Sequence, residues 1–227
     1  MRIVAVADTH LFHRDLAVPD GDVFVHAGDM CRTGDLVELR AAADWINSLP
    51  HRNKVIVAGN HDWAFAREPG AARAMFPGAH YLEDSEITLD RVRFYGSPWQ
   101  PEFCGWAFNL PRGRDLALMW AKIPHGIDVL VTHGPPEGFG DRTRGIRASS
   151  TAQPSRAGCA DLRQRVAEVQ PRLHLFGHIH QDGGMWRDGP TMFANVTTWE
   201  CVRGASVFDV DAGAVEAVVI PPRRDRA

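Results

Sequence analysis

The sequence has no long hydrophobic run, no paired cysteines and no large excess of charge of either sign. No apolar stretch approaches the roughly 20 residues of a membrane-spanning helix. Asp8 and His10 interrupt the first run too soon for the apolar core of a signal peptide, so cytoplasmic residence without membrane association is the expectation. The four cysteines, Cys31, Cys104, Cys159 and Cys201, are widely spaced and form no Cys-x-x-Cys pair, which removes thiolate-rich metal sites and makes reduced thiols the expected state. A formal net charge of −3 gives no general basic footprint for duplex nucleic acid or an anionic membrane, although Arg142, Arg144, Arg147 and Arg156 form a local basic patch. No linker or internal repeat divides the 227 residues, so the expectation is one domain over 1–220 with a polar tail over 221–227.

What is present is a repeated device: a short apolar run that ends in a polar cluster. Ile3 to Ala7 leads into Asp8-Thr9-His10, Val23 to Ala27 into Gly28-Asp29, and Lys54 to Ala58 into Gly59-Asn60-His61-Asp62. Later, Ile127 to Val131 leads into Thr132-His133-Gly134, and Leu173 to Phe176 into Gly177-His178-Ile179-His180. Runs of this length read as core strands. Asp8 and His10, two apart, project to one side if the backbone stays extended. Taken alone, the pair reads equally as a turn residue and a surface residue.

Between these runs lie helical patterns. Asp35 and Glu38 form a candidate capping box before Leu36, Leu39, Ala43 and Ile46, and further helices are predicted over Trp63 to Met75, Arg114 to Ile123 and Ala157 to Val169. Glu86 to Leu89 and Val92 to Tyr95 predict a hairpin or two adjacent strands, Glu137 to Pro154 a long loop, and Thr191 to Val196, Ala205 to Val210 and Ala214 to Ile220 three closing strands. A single parallel sheet would struggle to absorb those last strands. An α/β protein of two packed sheets with helices outside fits better.

The five clusters together offer Asp8, His10, Asp29, Asn60, His133, His178 and His180, an oxygen and imidazole set suited to hard or borderline divalent ions. One ion rarely takes seven protein ligands, whereas two ions sharing Asp29 use them all, in the arrangement that clamps attacking and leaving oxygens at phosphorus. His13, His26, His51, His80, His125 and His174 have no comparable context and read as surface or core histidines. His174 alternates with Phe176 and His178, which leaves a supporting role open to it.

Asp8-Thr9-His10, Gly28-Asp29, Gly59-Asn60-His61-Asp62, His133 and Gly177-His178-Ile179-His180 resemble the five ordered motifs of the calcineurin-like metallophosphoesterase superfamily. Gly96-Ser97-Pro98-Trp99, Asn109-Leu110-Pro111-Arg112-Gly113 and Thr132-His133-Gly134-Pro135-Pro136 extend the resemblance to its brain-type metallophosphoesterase-domain subfamily and to class III cyclic nucleotide phosphodiesterase-like enzymes. The resemblance implies a four-layer αββα sandwich, with one ion on Asp8, His10, Asp29 and His180 and a second on Asp29, Asn60, His133 and His178. It also implies that His61 faces the phosphoryl group and protonates the leaving oxygen, and that Asp62 orients His61. A hydroxide bridging the ions would attack in line.

The implied cofactors are two divalent ions, Mn, Fe or Zn, with Co and Ni also compatible. The implied substrates are cyclic nucleotides or other small phosphodiesters. Asn60, His61, Trp99, Phe139 and Arg142 are the candidate substrate contacts, although the aromatics read equally as packing and the arginine as solvent-facing. A phosphomonoesterase, a nuclease and a non-catalytic metal-binding scaffold remain alternatives. A homodimer is compatible with the aromatic middle loop.

Overall fold

Val23 to Ala27 is buried along its whole length, the condition of a strand covered on both faces, and the other runs that end in polar clusters share it except at the half-buried Asp128. The computed structural model describes residues 1–143, 155–211, 214–219 and 221. Its strands are β1 (Arg2–Val6), β2 (Val23–Ala27), β3 (Asn53–Val57), β4 (His80–Tyr81), β5 (Ser85–Leu89), β6 (Val92–Ser97), β7 (Gln100–Pro101) and β8 (Asn109–Leu110). They continue with β9 (Val129–Thr132), β10 (Arg142–Thr143), β11 (Ser155–Arg156), β12 (Leu173–Phe176), β13 (Gly184–Asp188), β14 (Thr191–Asn195), β15 (Ser206–Val210) and β16 (Val215–Val219). The helices are α1 (Leu36–Ser48), α2 (Trp63–Arg67), α3 (Pro69–Ala74), α4 (Arg114–Trp120) and α5 (Ala160–Val169).

Two six-stranded sheets form, ordered β16-β15-β1-β2-β3-β4 and β13-β14-β12-β9-β6-β5. Each is mixed. In the first, β1 to β4 run parallel and β15 and β16 are antiparallel additions. In the second, β14, β12, β9 and β6 run parallel between antiparallel edges β13 and β5.

Period-two alternation decides which layer each side chain joins. Ile3 and Ala5 of β1, Val25 of β2 and Val55 of β3 meet Phe94, Val129, Val131, Leu173 and Leu175 of the second sheet in a core between the sheets. The alternate residues Val4, Phe24 and Ile56 face outward onto Leu39, Ala43 and Ile46 of α1. On the other side Leu130, Phe176 and Phe193 pack on Leu116 and Trp120 of α4 and Leu162 and Val166 of α5. The result is the expected αββα sandwich.

The parallel strands of both sheets bring their carboxyl ends to one edge. There the sheets are stitched together: the Ala7 N–H donates to Val196 O at 3.1 Å and the Thr198 N–H to Ala7 O at 2.8 Å.

Several local expectations change. The helix predicted over Trp63 to Met75 is two, because Pro69 cannot continue α2 and instead starts α3 at its first turn. Asp35 caps α1 as expected, accepting from the Val37 and Glu38 N–H groups at 3.0 and 2.8 Å. Glu38 does not close the box; its Oε2 takes the N–H groups of Arg32, Thr33 and Gly34, ordering the segment that follows Asp29. The helix predicted from Ala157 starts at Ala160, with the Cys159 sulfur accepting from the Leu162 N–H. Gly184 opens a further edge strand, β13. The loop from Glu137 to Pro154 is gathered at its ends by the β10–β11 pair. Arg144, Arg147, the rest of 144–154, Ile220 and most of the predicted tail lie outside the described residues. Among the described residues no helix is long and apolar enough to cross a membrane.

Phe94 is fully buried in the layer between the sheets. Phe94→Ala should lower stability by about 3–5 kcal/mol in guanidinium unfolding, and a loss below about 1 kcal/mol would contradict a packed inter-sheet core.

Candidate metal centre

Five loops at the shared edge, those after β1, β2, β3, β9 and β12, carry the polar clusters. Asp8, His10, Asp29 and His178 have φ values of 56°, 43°, 58° and 69°, in the left-handed region that non-glycine residues seldom occupy. Asp8 and His10 therefore do not reach the centre by strand alternation, as an extended backbone would require; the chain turns sharply at each. Neighbouring loops hold these turns, with the N–H groups of Asp8 and His10 donating to Gly28 O and Asp29 O at 2.9 and 3.1 Å. Gly177 permits the closest approach, since a Cβ there would lie 2.5 Å from Ala7 Cβ and 2.7 Å from Asp8 Oδ2. Through that gap the His178 N–H donates to the Asp8 carboxylate at 3.0 and 3.1 Å.

The side chains form three overlapping groups whose ligand atoms lie within 4.8 Å of one another: Asp8, His10 and His180; His10, Asp29 and His61; and Asp29, His133 and His178. Asp29 Oδ2 stands 3.3 Å from His133 Nε2 and 3.8 Å from His10 Nε2, and so joins two clusters. Asn60 Oδ1 is 3.0 Å from His133 Nε2, and Asp8 Oδ1 is 3.6 Å from His180 Nε2. Asp8 and Asp29 are almost wholly buried.

Backbone carbonyls set the imidazole tautomers. His10 Nδ1 faces Cys31 O at 2.8 Å, His133 Nδ1 faces Ala27 O at 2.9 Å and His61 Nδ1 faces Arg32 O at 2.5 Å. A carbonyl only accepts, so each Nδ1 carries hydrogen and each Nε2 is left as the inward donor atom. His10 Nε2 and His180 Nε2 approach to 3.4 Å, a contact of nitrogen on nitrogen that a proton or a cation must bridge.

Charge follows the same logic. Burial opposes ionisation of Asp8 and Asp29, but His180 beside the first and His133 beside the second outweigh it and hold both below the usual carboxylate range. Burial would push His133 down; the Asp29 charge and hydrogen bond prevail and raise it to about 9. His178 is pushed down to about 4 by burial and then by the charge of His133. This donor set, imidazole nitrogens converging on buried carboxylates with fixed tautomers, fits divalent cations.

A family model for calcineurin-like phosphoesterases matches residues 1–182. The chain belongs to this family. Metallophosphoesterase domain-containing protein 1 of Homo sapiens is 40% identical over 220 residues, covering 86% of this chain. A UPF0046 protein of Caenorhabditis elegans, K07C11.7, is 32% identical over 221 residues, covering 91% of this chain and 72% of that protein. The chain spans 65% of the length of the human relative. The solved structure of TT1561 of Thermus thermophilus shares the fold, with a TM-score of 0.63 at 14% identity over 95% of this chain and 97% of that one. Fold and His/Asp clusters together match the calcineurin-like phosphoesterase family.

Several expected roles are relocated. Asp62 does not hold the His61 ring. Its buried carboxylate accepts the backbone N–H groups of Asp29, Gly59 and Cys31 at 2.9, 2.8 and 3.0 Å and of Met30 at 3.3 Å, so it builds the turn that carries Asp29. Arg32 O takes the His61 ring proton instead.

Trp99 packs in the outer layers, meets Phe108 edge-on and donates to Asp84 Oδ2 at 3.1 Å. Phe139 stacks on Phe193 at 4.1 Å, a core contact. Arg142 is exposed and lies outside the lining of the groove beside the centre; its backbone N–H donates to Asp182. That groove, of about 500 Å³, is lined by His178, Phe103, Arg112, Pro135, Arg156 and Gln181 among others.

His26, which has no motif around it, links two of the loops: its Nε2 is 3.0 Å from Thr9 Oγ1 and its Nδ1 accepts the Gly28 N–H at 3.3 Å. His174 does the same in the second sheet, 2.9 Å from the hydroxyl of Thr132, next to His133. Burial pushes both imidazoles down to about 3, which keeps them neutral. Their signal in sequence was only their place inside strands that end in ligands.

His133 moves from an ordinary 6.5 to about 9, so at any pH below about 9 an entering cation must expel its proton. The same shift makes the pair with Asp29 fully stabilising below pH 6.5, with the contribution lost as pH rises through about 9. Metal affinity measured by calorimetry should rise with pH up to about 9, with an enthalpy that depends on buffer ionisation; an enthalpy independent of buffer would contradict this coupling. Asp62→Ala leaves buried N–H groups unpaired and should cost more than about 3 kcal/mol in stability, together with metal content. A stable, metal-replete Asp62→Ala protein would overturn its role in the turn.

Proposed function

We propose that this chain is a dinuclear-metal phosphodiesterase acting on small phosphodiesters, cyclic nucleotides among them. The observation that carries the reading is the buried Asp29 carboxylate joining two His/Asp clusters with His61 alongside. Asp8, His10, Asp29 and His180 would hold one ion, and Asp29, Asn60, His133 and His178 the other. When bound, such ions supply Lewis-acid neutralisation of charge at phosphorus and a water acidified toward neutral pH. The imidazole and carboxylate donors, with no thiolate, suit Mn, Fe or Zn and accept Co or Ni.

The chain's own residues account for binding and for departure of the leaving group. The His61 N–H donates to Asp29 Oδ1 at 2.8 Å, and its Nδ1–H is committed to Arg32 O. Only Nε2 remains to deliver a proton to the leaving oxygen as the phosphorus–oxygen bond breaks, after which the ring is neutral. Asn60 and His61 flank the phosphoryl group in this reading.

The groove favours a diester over a monoester. A second organic substituent on phosphorus needs space beside the centre, and about 500 Å³ adjoins His178. A dianionic monoester needs additional cations, yet Arg112 is engaged by Gly158 O and Ala157 O at 2.7 and 2.8 Å and Arg156 by Asp141 at 2.7 Å. The likeness to metallophosphoesterase domain-containing protein 1 supports the reaction class without naming a substrate.

Metal-reconstituted protein should hydrolyse bis-aryl phosphodiesters and cyclic nucleotides in preference to aryl monoesters and oligonucleotides, and lose turnover with chelator. His61→Ala should lower kcat by about 10²–10⁴-fold with metal content retained. Preference for monoesters, or turnover indifferent to chelator, would overturn the proposal.

A further inference from the structure

The turn at Phe103-Cys104-Gly105-Trp106, between β7 and β8, reaches over the centre. Cys104 and Gly105 have φ values of 50° and 65°, and the Trp106 N–H closes the turn on Phe103 O at 3.3 Å. Its base is fastened by side chains: Asn109 Nδ2 donates to Phe103 O at 2.7 Å and Gln100 Nε2 to Ala107 O at 3.0 Å. The Ala107 N–H donates to Asn60 O at 3.2 Å, so the turn is anchored to the residue immediately before His61. Trp106 is thereby laid against the His61 imidazole, with ring centroids 4.1 Å apart and planes 34° apart.

His61 is held on its other sides as well. Its ring meets the edge of His10 at 4.8 Å and 81°, and its Nδ1–H meets Arg32 O. The hydrogen bond alone leaves rotation about that bond direction unopposed at a partly exposed position, where water competes for the carbonyl. The indole face blocks that rotation.

We propose that Trp106 is a positioning residue: it keeps His61 Nε2 directed at the metal clusters, where the leaving oxygen must receive its proton. The inference rests on the acid role proposed above for His61. In the transfer, the Nε2–H bond breaks as the new O–H bond forms on the departing alcohol, and the imidazolium becomes a neutral imidazole with hydrogen on Nδ1. A good leaving group departs as an anion without that proton, so the contribution of Trp106 must grow as the leaving group worsens. A wall for substrate stacking would instead act on KM for every substrate alike.

The test compares wild type, Trp106→Leu, Trp106→Phe and His61→Ala as metal-loaded proteins on two phosphodiesters that differ only in their leaving group, p-nitrophenolate or phenolate. Trp106→Leu should lose kcat on the order of tenfold on the phenolate substrate and much less on the nitrophenolate, with Trp106→Phe recovering most of it. The second readout does not use turnover: in NMR spectra of zinc-loaded protein the His61 ring protons should show an upfield ring-current shift that Trp106→Leu abolishes. Equal loss on both substrates, or a His61 ring shift unchanged in Trp106→Leu, would overturn the positioning role. His61→Ala insensitive to the leaving group would remove the acid role and the catalytic consequence of Trp106 with it, while the ring shift still decides whether Trp106 places the imidazole.

Discussion

A carboxylate buried as deeply as that of Asp29 is tolerable only against opposite charge and hydrogen-bond donors. Those are the His133 imidazole, whose proton the carboxylate favours, and the His61 backbone N–H. Everything around Asp29 serves to keep it there. Asp62 gathers the N–H groups of its turn, Glu38 orders the segment that follows it, and His26 braces Gly28 just before it. The stitch between the two sheets at Ala7 then brings Asp8 and the His178 loop against it.

This concentration of buried charge explains why the polar clusters stand at strand ends. The interiors of the strands that lead to this edge are given mostly to two apolar layers, one between the sheets and one beneath the helices. At the carboxyl ends the ladder stops, the backbone is free to turn left-handed, and loops from both sheets converge. The half of the centre from β1, β2 and β3 and the half from β9 and β12 can therefore meet only at this edge.

Much of this was legible in the sequence. The five apolar runs became parallel strands, and the expectation of two packed sheets with outer helices held, because hydrophobic period and length carry that information directly. The candidate ligands announced themselves by residue type at strand ends, and the structure gathers Asp8, His10, Asp29, His133, His178 and His180 into adjoining clusters, with Asn60 against His133. What sequence could not convey was direction. Asp62 adjoins His61 in the chain yet faces the Asp29 turn, and Trp99 and Phe139 carry aromatic rings that packing claims for the protein itself. Trp106, equal to them in composition, lies on the His61 ring because of a turn closed by two left-handed residues.

The proposed chemistry would turn on two cations meeting at one carboxylate. Anomalous diffraction from manganese-loaded crystals tests that most directly: two peaks about 3.5–4 Å apart are predicted, one on each side of Asp29. A single peak, or peaks remote from Asp29, would contradict it.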